Sequence, residues 1–329
     1  MVEQAGKAIS GTRGAGARWL PLRFGVGERV LGGLSVVVGC LLVFHGAVPN
    51  AVGRLGSLLE AFLPWVGLAV PVLLGVALLR RSVVGLAALL VPVVAWVSLF
   101  GGLAFSRSGS EYDVTALQHN VSDENPDPAG TARELVRAHA DLIALEELTP
   151  SAVPLFAEVL ASDYPHHAVI GTVGLWSKYP LADIRRVDIK PAGIGEGWER
   201  GLRATAGTPQ GDVAVYVAHL PSVRLGLSKG FGSAWRDESA VLLGAAIAAE
   251  PLDRVILLGD LNSTVDDRGL SPVSSQLDSP PSGFAFSWPA AFPLARIDQI
   301  MTRAASVTHV WTLPTTGSDH MPIAARIRL

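Results

Sequence analysis

Eight polar residues stand where an otherwise apolar pattern gives them no evident partner: Asn120, Glu147, His219, Asp260, Asn262, Asp298, Asp319 and His320. Each lies at or near the end of a run that reads as a β-strand, and a charge left there is costly unless it binds something. The clearest run, Arg254-Val-Ile-Leu-Leu-Gly-Asp-Leu-Asn262, delivers Asp260 and Asn262 two residues apart and so onto one face of a strand. Both can meet one ligand. Carboxylate and amide oxygens suit hard divalent cations such as Mg²⁺ or Mn²⁺, and the set lacks the Cys or His grouping of a structural zinc site. Histidines beside carboxylates add proton transfer, so the chemistry is metal-assisted hydrolysis. Taken singly, Asp-x-Asn is a turn, a lone His a hydrogen-bonded structural residue and Asp298 a solvated edge residue. Their joint occurrence is what points to a site.

The elements that must position these groups begin near residue 113. Strands are expected at 113–120, 141–148, 171–177, 181–189, 201–206, 212–220 and 254–262, with closing strands at 295–302, 307–313 and 322–329. Helices are expected at 131–140, 151–161 and 234–249. Mostly apolar strands need both faces covered, which fits two packed sheets with helices outside.

Ahead of this region the chain is of another kind. Three stretches, 30–48, 61–79 and 83–105, are long enough to cross a bilayer and contain no Asp, Glu, Lys or Arg. Pro71 and Pro92 are tolerated inside packed membrane helices. A cleaved signal peptide or a buried helical hairpin explains the pattern less well. Up to Phe105 there are 8 basic and 3 acidic residues, leaving 18 and 26 for the remainder, so the two parts carry +5 and −8. Lys7, Arg13, Arg18, Arg23 and Arg29 precede the first span and Arg80 with Arg81 separates the second from the third, whereas the intervening loop offers only Arg54. Basic residues stay on the cytoplasmic side, so the N-terminus is inside and everything after the third span outside. His45, near the outer end of the first span, reads as an interfacial residue. Expected are a cytoplasmic tail at 1–29, a membrane domain with three transmembrane helices at 30–105, a short linker at 106–112 and a catalytic domain at 113–329. Cys40 is the single cysteine, so no intramolecular disulfide forms.

Six ordered segments carry a resemblance: Gln118-His-Asn-Val121, Asp141-Leu-Ile-Ala-Leu-Glu-Glu147, Val217-Ala-His-Leu-Pro-Ser222, Gly259-Asp-Leu-Asn262, Arg296-Ile-Asp-Gln-Ile300 and Ser318-Asp-His-Met-Pro322. Together they resemble the motif series of the endonuclease/exonuclease/phosphatase superfamily. The resemblance implies a four-layer α/β sandwich, here preceded by three transmembrane helices, with the site at one rim of the sheets. It implies Glu147 as principal metal ligand, Asn120 helping to orient the metal-bound phosphate, and Asp319 supporting the metal. Asp260 would orient or deprotonate the attacking water, Asn262 hold the phosphate, and His219 face the scissile phosphate as donor or acid. His320 would stabilise or protonate phosphate oxygens, with Asp298 fixing its tautomer. Two departures stand out: Ser122 occupies a position that is often acidic, which bears on a second metal, and Glu146 stands where Gln often precedes the ligand Glu.

The family's substrates include nucleic acids, phospholipid headgroups and inositol phosphates, so the substrate must be narrowed by other features. Residues 106–112 reach about 24 Å at full extension, against a radius of gyration of roughly 17 Å for the following domain, which keeps the site near the bilayer. An acidic domain suits tight binding along a polyanion poorly, making nucleic acid the weaker candidate. Two apolar loops, 224–235 and 284–292, are expected either to pack in the core or to touch lipid, with Arg224 and Lys229 near lipid phosphates. The chain also resembles VanJ-type teicoplanin-resistance membrane proteins, which implies action on a lipid-linked phosphate or pyrophosphate of the cell envelope. An external nuclease and a non-catalytic binder of envelope precursors are the rival readings.

Overall fold

The computed structural model describes residues 25–104, 111–226 and 230–329. Most of the expected tail (1–29), most of the linker (106–112), the last residue of the third span, Leu227 and Lys229 lie outside them.

The apolar N-terminal region is helical: α1 (Val26–Val43), α2 (Leu55–Ala61), α3 (Ala69–Leu79), α4 (Val83–Ala88) and α5 (Leu90–Ala104). Two helices, Val26–Val43 and the near-continuous Val83–Ala104, are long and apolar enough to cross a membrane. The first begins four residues before the expected span. The second expected span, 61–79, corresponds to Leu63–Leu79, whose start is marked by a 74° bend from Leu55–Ala61; the bent pair makes a third candidate span only if it is taken as one. The cause of the bend is local. Pro64 sits in the first turn of the short 3₁₀ segment Leu63–Leu68 and lacks the N–H that would carry α2 onward, while Phe62 leaves helical geometry at φ −118°. Along these helices Val36, Val37, Val72, Leu79 and Val94 are exposed, an apolar surface of the kind that water-facing proteins avoid.

The rest of the chain builds β1 (Val114–Asn120), α6 (Pro128–Val136), β2 (Leu142–Glu146), α7 (Val153–Leu160), β3 (His166–Ile170), β4 (Val173–Ser177) and β5 (Leu181–Arg186). There follow β6 (Gly201–Thr208), β7 (Gly211–Ala218), the short β8 (Leu225–Gly226) and β9 (Gly230–Phe231), α8 (Ala234–Ala248), β10 (Val255–Asp260), α9 (Ser271–Ser274), β11 (Asp298–Arg303), β12 (Ser306–Thr312) and β13 (Ile323–Arg328). One sheet runs β12-β13-β1-β2-β4-β3 and the other β11-β10-β7-β6-β5. Within them β1 and β2 are parallel, as are β7 and β10. The expected helix at 131–140 starts earlier because the Asp127 side chain caps it and Pro128 supplies its first turn. The strand β3 was not expected. It is a partly exposed edge strand opening on His166-His167, and such a strand lacks a continuous apolar run.

Side-chain alternation sorts the apolar residues into three layers. Val114, Ala116, Leu142, Ala144, Val215, Val217, Ile256 and Leu258 meet between the sheets. Their neighbours of opposite parity face outward: Leu117, Ile143 and Leu145 pack under α6 and α7, and Tyr216, Val255 and Leu257 pack under α8 and α9. The order is helices, sheet, sheet, helices, which is the expected four-layer sandwich.

The bent helix is docked on this sandwich. Glu60, buried at the end of α2, accepts from Arg268 Nε and Nη2 at 2.8 Å each and from the Arg268 backbone N–H at 3.0 Å. His45, expected at an interface, lies 3.1 Å from the same carboxylate. Arg54 forms an ion pair with Asp237, and Trp65 Nε1 donates to the Leu294 carbonyl at 2.6 Å. Replacing Arg268 by Ala removes the bidentate partner of a buried carboxylate, and the expected cost is roughly 2–3 kcal/mol. Unfolding of the full-length protein in detergent should show a lowered midpoint, largely restored by adding Glu60→Leu. An unchanged midpoint in Arg268→Ala contradicts this account of the docking.

Candidate active site

The inter-sheet parity that places Ala116, Ala144, Val217 and Leu258 in the core continues along the same strands to Gln118 and Asn120, Glu146, His219 and Asp260. On β11, Asp298 lies two residues from the core residue Ile300 and opposite Asp260 in register. The site is thus one end of the inter-sheet core, where the facing positions become polar. Gly259 makes the approach feasible, since a Cβ there would sit 1.9 Å from the Ala218 carbonyl oxygen.

Asp260 and Asn262 do not share a strand face as expected, because β10 ends at Asp260. Asn262 occupies a left-handed turn position (φ 47°), and its backbone N–H donates to Asp260 Oδ1 at 2.9 Å. Both side chains still line one pocket. Asn120 Nδ2 donates to Asp260 Oδ2 at 3.0 Å. Asn262 Nδ2 donates to the Leu220 carbonyl at 3.0 Å and to Asp260 Oδ2 at 3.3 Å. The two amides therefore aim Asp260 before any substrate is present.

His320 Nδ1 lies 2.8 Å from Asp298 Oδ2, and its Nε2 lies 3.8 Å from Asp260 Oδ2. Burial alone would disfavour the imidazolium, but Asp298 and Asp260 outweigh it and hold the His320 pKa well above the usual histidine value. Burial also acts on Asp298, but the charge of His320 and hydrogen bonds from His320, Ser287 and Gln118 keep it ionised. Asp260 is pushed up, chiefly by burial and by the charge of Asp298, with His320 and Asn120 opposing.

His219 is fully buried, beneath the pocket, with Nε2 3.6 Å from Asp260 Oδ2 and 3.8 Å from Glu147 Oε1. Arg200 Nη1 approaches its ring nitrogens at 3.1 and 3.3 Å. A guanidinium only donates, so a ring nitrogen must accept. Burial and Arg200 together push the His219 pKa well down. The neutral ring with Nε2–H toward the carboxylates satisfies both neighbours, and this residue meets Asp260 and Glu147 rather than the open pocket.

The adjacent glutamates diverge. Glu146 is fully buried and accepts from Gln118 Nε2 at 2.7 Å, while the same nitrogen donates to Asp298 Oδ1 at 3.0 Å. Burial, Asp298 and Asp260 raise the Glu146 pKa strongly, which makes it a neutral acid. Glu147 follows the strand end with φ 58°, which turns its carboxylate to the pocket, where Oε2 accepts from the Asp123 N–H at 3.2 Å. Asp319 is exposed and lines the opposite side of the pocket with His320.

The pocket encloses about 610 Å³. Its polar floor is Asn120, Glu147, Asp260, Asn262, Asp319 and His320, and Asp123 and Glu124 add further carboxylates. Its apolar wall includes Ala61 and Phe62 from the helix bend, with Leu225, Phe231 and Trp288 from the two loops noted above. The donor set fits a divalent cation. Ligand atoms of Asp260, Asp298 and His320 lie within 4.8 Å of one another. However, the Asp298–His320 hydrogen bond already occupies that pair, which leaves Glu147, whose carboxylate reaches the pocket, with Asn120 and Asp319 also in its lining, as the residues that would hold an ion. Arg200, Gln118 and the bend residues Ala61 and Phe62 were not expected. Arg200 precedes β6 in a loop that bears no motif, and Phe62 reads as an ordinary apolar residue of a span.

A family model described as the Endonuclease/Exonuclease/phosphatase family matches residues 117–320. Among solved structures, sphingomyelinase C from Streptomyces griseocarneus is 19% identical (TM-score 0.50), covering 66% of this chain and 99% of that one. Beta toxin 275-280 from Staphylococcus aureus is 17% identical (TM-score 0.52; 65% and 99% covered). A D. rerio TDP2 humanized by 14 mutations is likewise 17% identical (TM-score 0.53; 66% and 99% covered). These likenesses concern the fold. No curated protein matches the chain.

The electrostatics predict a measurable dependence. In Asp298→Asn the larger of the two carboxylate influences that favour the imidazolium is gone, so the His320 pKa should drop, with Asp260 alone left to oppose burial. NMR titration of the histidine ring reads this directly, and an unmoved His320 would remove Asp298 from the role given it here.

Proposed function

Because the chain belongs to the endonuclease/exonuclease/phosphatase family, we propose that it is a membrane-anchored, divalent-metal-dependent phosphoester hydrolase acting on a lipid-linked phosphate or pyrophosphate. The observation that carries this reading is the pocket itself, whose floor is catalytic and whose wall comes in part from the bent apolar helix. A soluble phosphoester needs no such wall. A substrate held in a bilayer must approach past it.

In this reading Glu147 holds Mg²⁺ or Mn²⁺, with Asn120 and Asp319 beside it. The cation supplies charge neutralisation on the phosphoryl oxygens. Asp260, with its raised pKa, takes a proton from the attacking water, and the Asn120 donor fixes its orientation. His320, kept cationic by Asp298, donates to a phosphoryl or leaving oxygen through Nε2. Asn262 reaches the phosphate once its 3.3 Å contact to Asp260 yields, while its bond to the Leu220 carbonyl keeps it in place. With the bent pair taken as a third span, positive-inside bias would put the N-terminus in the cytoplasm and the pocket outside it, as a multi-pass protein of the cell membrane. Envelope substrates of the kind met by VanJ-type resistance proteins would then be within reach.

Purified full-length protein with Mg²⁺ or Mn²⁺ should turn over undecaprenyl pyrophosphate or a phospholipid, lose activity in EDTA and regain it on metal addition. Turnover of DNA alone would favour a nuclease and refute the lipid reading. Asp260→Asn should lower kcat by about 100- to 10,000-fold, whereas an unchanged rate would favour a binding protein. Glu147→Gln should raise the metal concentration for half-maximal activity by at least roughly tenfold, and an unchanged requirement would take Glu147 out of the metal site.

A further inference from the structure

Beside the catalytic pocket lies a second cavity of about 430 Å³, within the usual range of small-molecule sites. Its lining is apolar: Pro64, Trp65, Val93, Trp96, Phe284 and Phe286 are the residues that shape it. The aromatic members hold one another in place, with Trp65 stacked on Phe286 at 5.5 Å and Phe284 5.1 Å from Phe286 and 6.4 Å from Trp96. The Trp65 and Trp96 indole N–H groups are already spent on the Leu294 and Pro64 carbonyls, at 2.6 and 2.9 Å. No free polar group is thereby offered to a ligand by either indole. Recognition here is by apolar contact.

Two segments join this cavity to the active site. On the bent helix, Ala61 and Phe62 line the catalytic pocket and Pro64 and Trp65 line the apolar cavity. On the 284–288 loop, Phe284 and Phe286 line the cavity and Trp288 lines the pocket. The apolar cavity and the catalytic pocket thus share two supporting segments, and the helices around the cavity have outer faces that are themselves apolar.

We infer that this cavity binds the hydrocarbon chain of the phosphoester being hydrolysed, so that the chain is seated between the bend and α5 while its phosphate lies at Asp260 and His320. The inference rests on the hydrolase reading above and adds to it a tail site. Substrate moving from bilayer to cavity exchanges one apolar environment for another, so the gain is orientation of the phosphate rather than burial. For a short chain arriving from water, burial also contributes, at most about fourfold in kcat/KM per methylene.

The test uses the full-length protein in nanodiscs with Mg²⁺ or Mn²⁺ and p-nitrophenyl alkyl phosphodiesters bearing methyl, butyl or octyl chains. Wild-type kcat/KM should rise with chain length, and Val93→Trp, which fills the cavity, should lower the octyl-to-methyl ratio at least tenfold. Because wild type and variant are assayed in the same nanodiscs, the partitioning of each ester is common to both and cancels when their ratios are compared. A photoreactive diazirine at the end of an octyl phosphonate should label the segments around Trp65, Trp96 or Phe286, with octyl phosphonate competing. That labelling requires no variant to fold. A ratio unaltered by Val93→Trp, a flat chain-length series, or labels spread without competition over the outer face of α1, as ordinary bilayer lipid would leave them, overturns the tail site while leaving hydrolysis intact. Failure of the wild type to cleave any of the three esters overturns the hydrolase reading instead, and the tail site with it.

Discussion

Two carboxylates, Asp260 and Asp298, are placed directly opposite each other on neighbouring antiparallel strands, on the buried face. Like charges in that relation repel, and burial removes the solvent that would weaken the repulsion. Everything else in the site answers this one constraint. His320 is inserted between them and is kept cationic by them. Gln118 donates to Asp298 and joins it to Glu146, which gives up its charge instead. Asn120 and Asn262 donate to Asp260, and the neutral His219 lies 3.6 Å from it. The result is a group of acids with three different protonation behaviours, which is what separates a base from a positioning residue.

Part of this arrangement was legible in the residues, because polar groups at the ends of apolar runs stand out: Asp260 closes Val255–Gly259, and Asp298, Asp319 and His320 stand beside such runs, which put them in one candidate site before any coordinates. Which of Glu146 and Glu147 turns inward was not legible, because Leu142 to Leu145 is apolar at every position and alternation alone does not say which parity lies between the sheets. What alternation cannot convey is the positive φ of Glu147 and Asn262, which redirects a side chain at the strand's end. Nor does it reveal Arg200, whose approach to His219 depends on a loop fold and on its stacking over Trp198. The two histidines consequently differ more than their shared side chain suggests. One is held cationic by carboxylates, the other neutral by burial and a guanidinium.

The N-terminal helices carry one feature that the absence of charge from 61–79 does not announce: the residue that sets where the bend falls is Glu60, just outside that stretch. A carboxylate at that position cannot be left in hydrocarbon, and its bidentate bond to Arg268 fastens the end of α2 to the sandwich. With Pro64 unable to continue the helix, the chain turns by 74° at Phe62. A hydropathy window averages over such a break, because each residue within it remains apolar.

That bend settles what an acidic pocket would otherwise leave paradoxical. A phosphate carries negative charge, and Asp123, Glu124, Glu147, Asp260 and Asp319 all line the cavity it must enter. Long-range attraction from this chain's own charges is therefore poor, since His320 is the basic residue in its lining against five acids. Under the proposed function the encounter depends on other terms: a bound cation that reverses the local potential, and a substrate already confined to the bilayer beside Phe62. Confinement replaces electrostatic steering, because a tethered phosphate samples the pocket mouth without crossing bulk water. The apolar wall and the acidic floor are then parts of one design, in which the membrane supplies the concentration that the charge distribution does not.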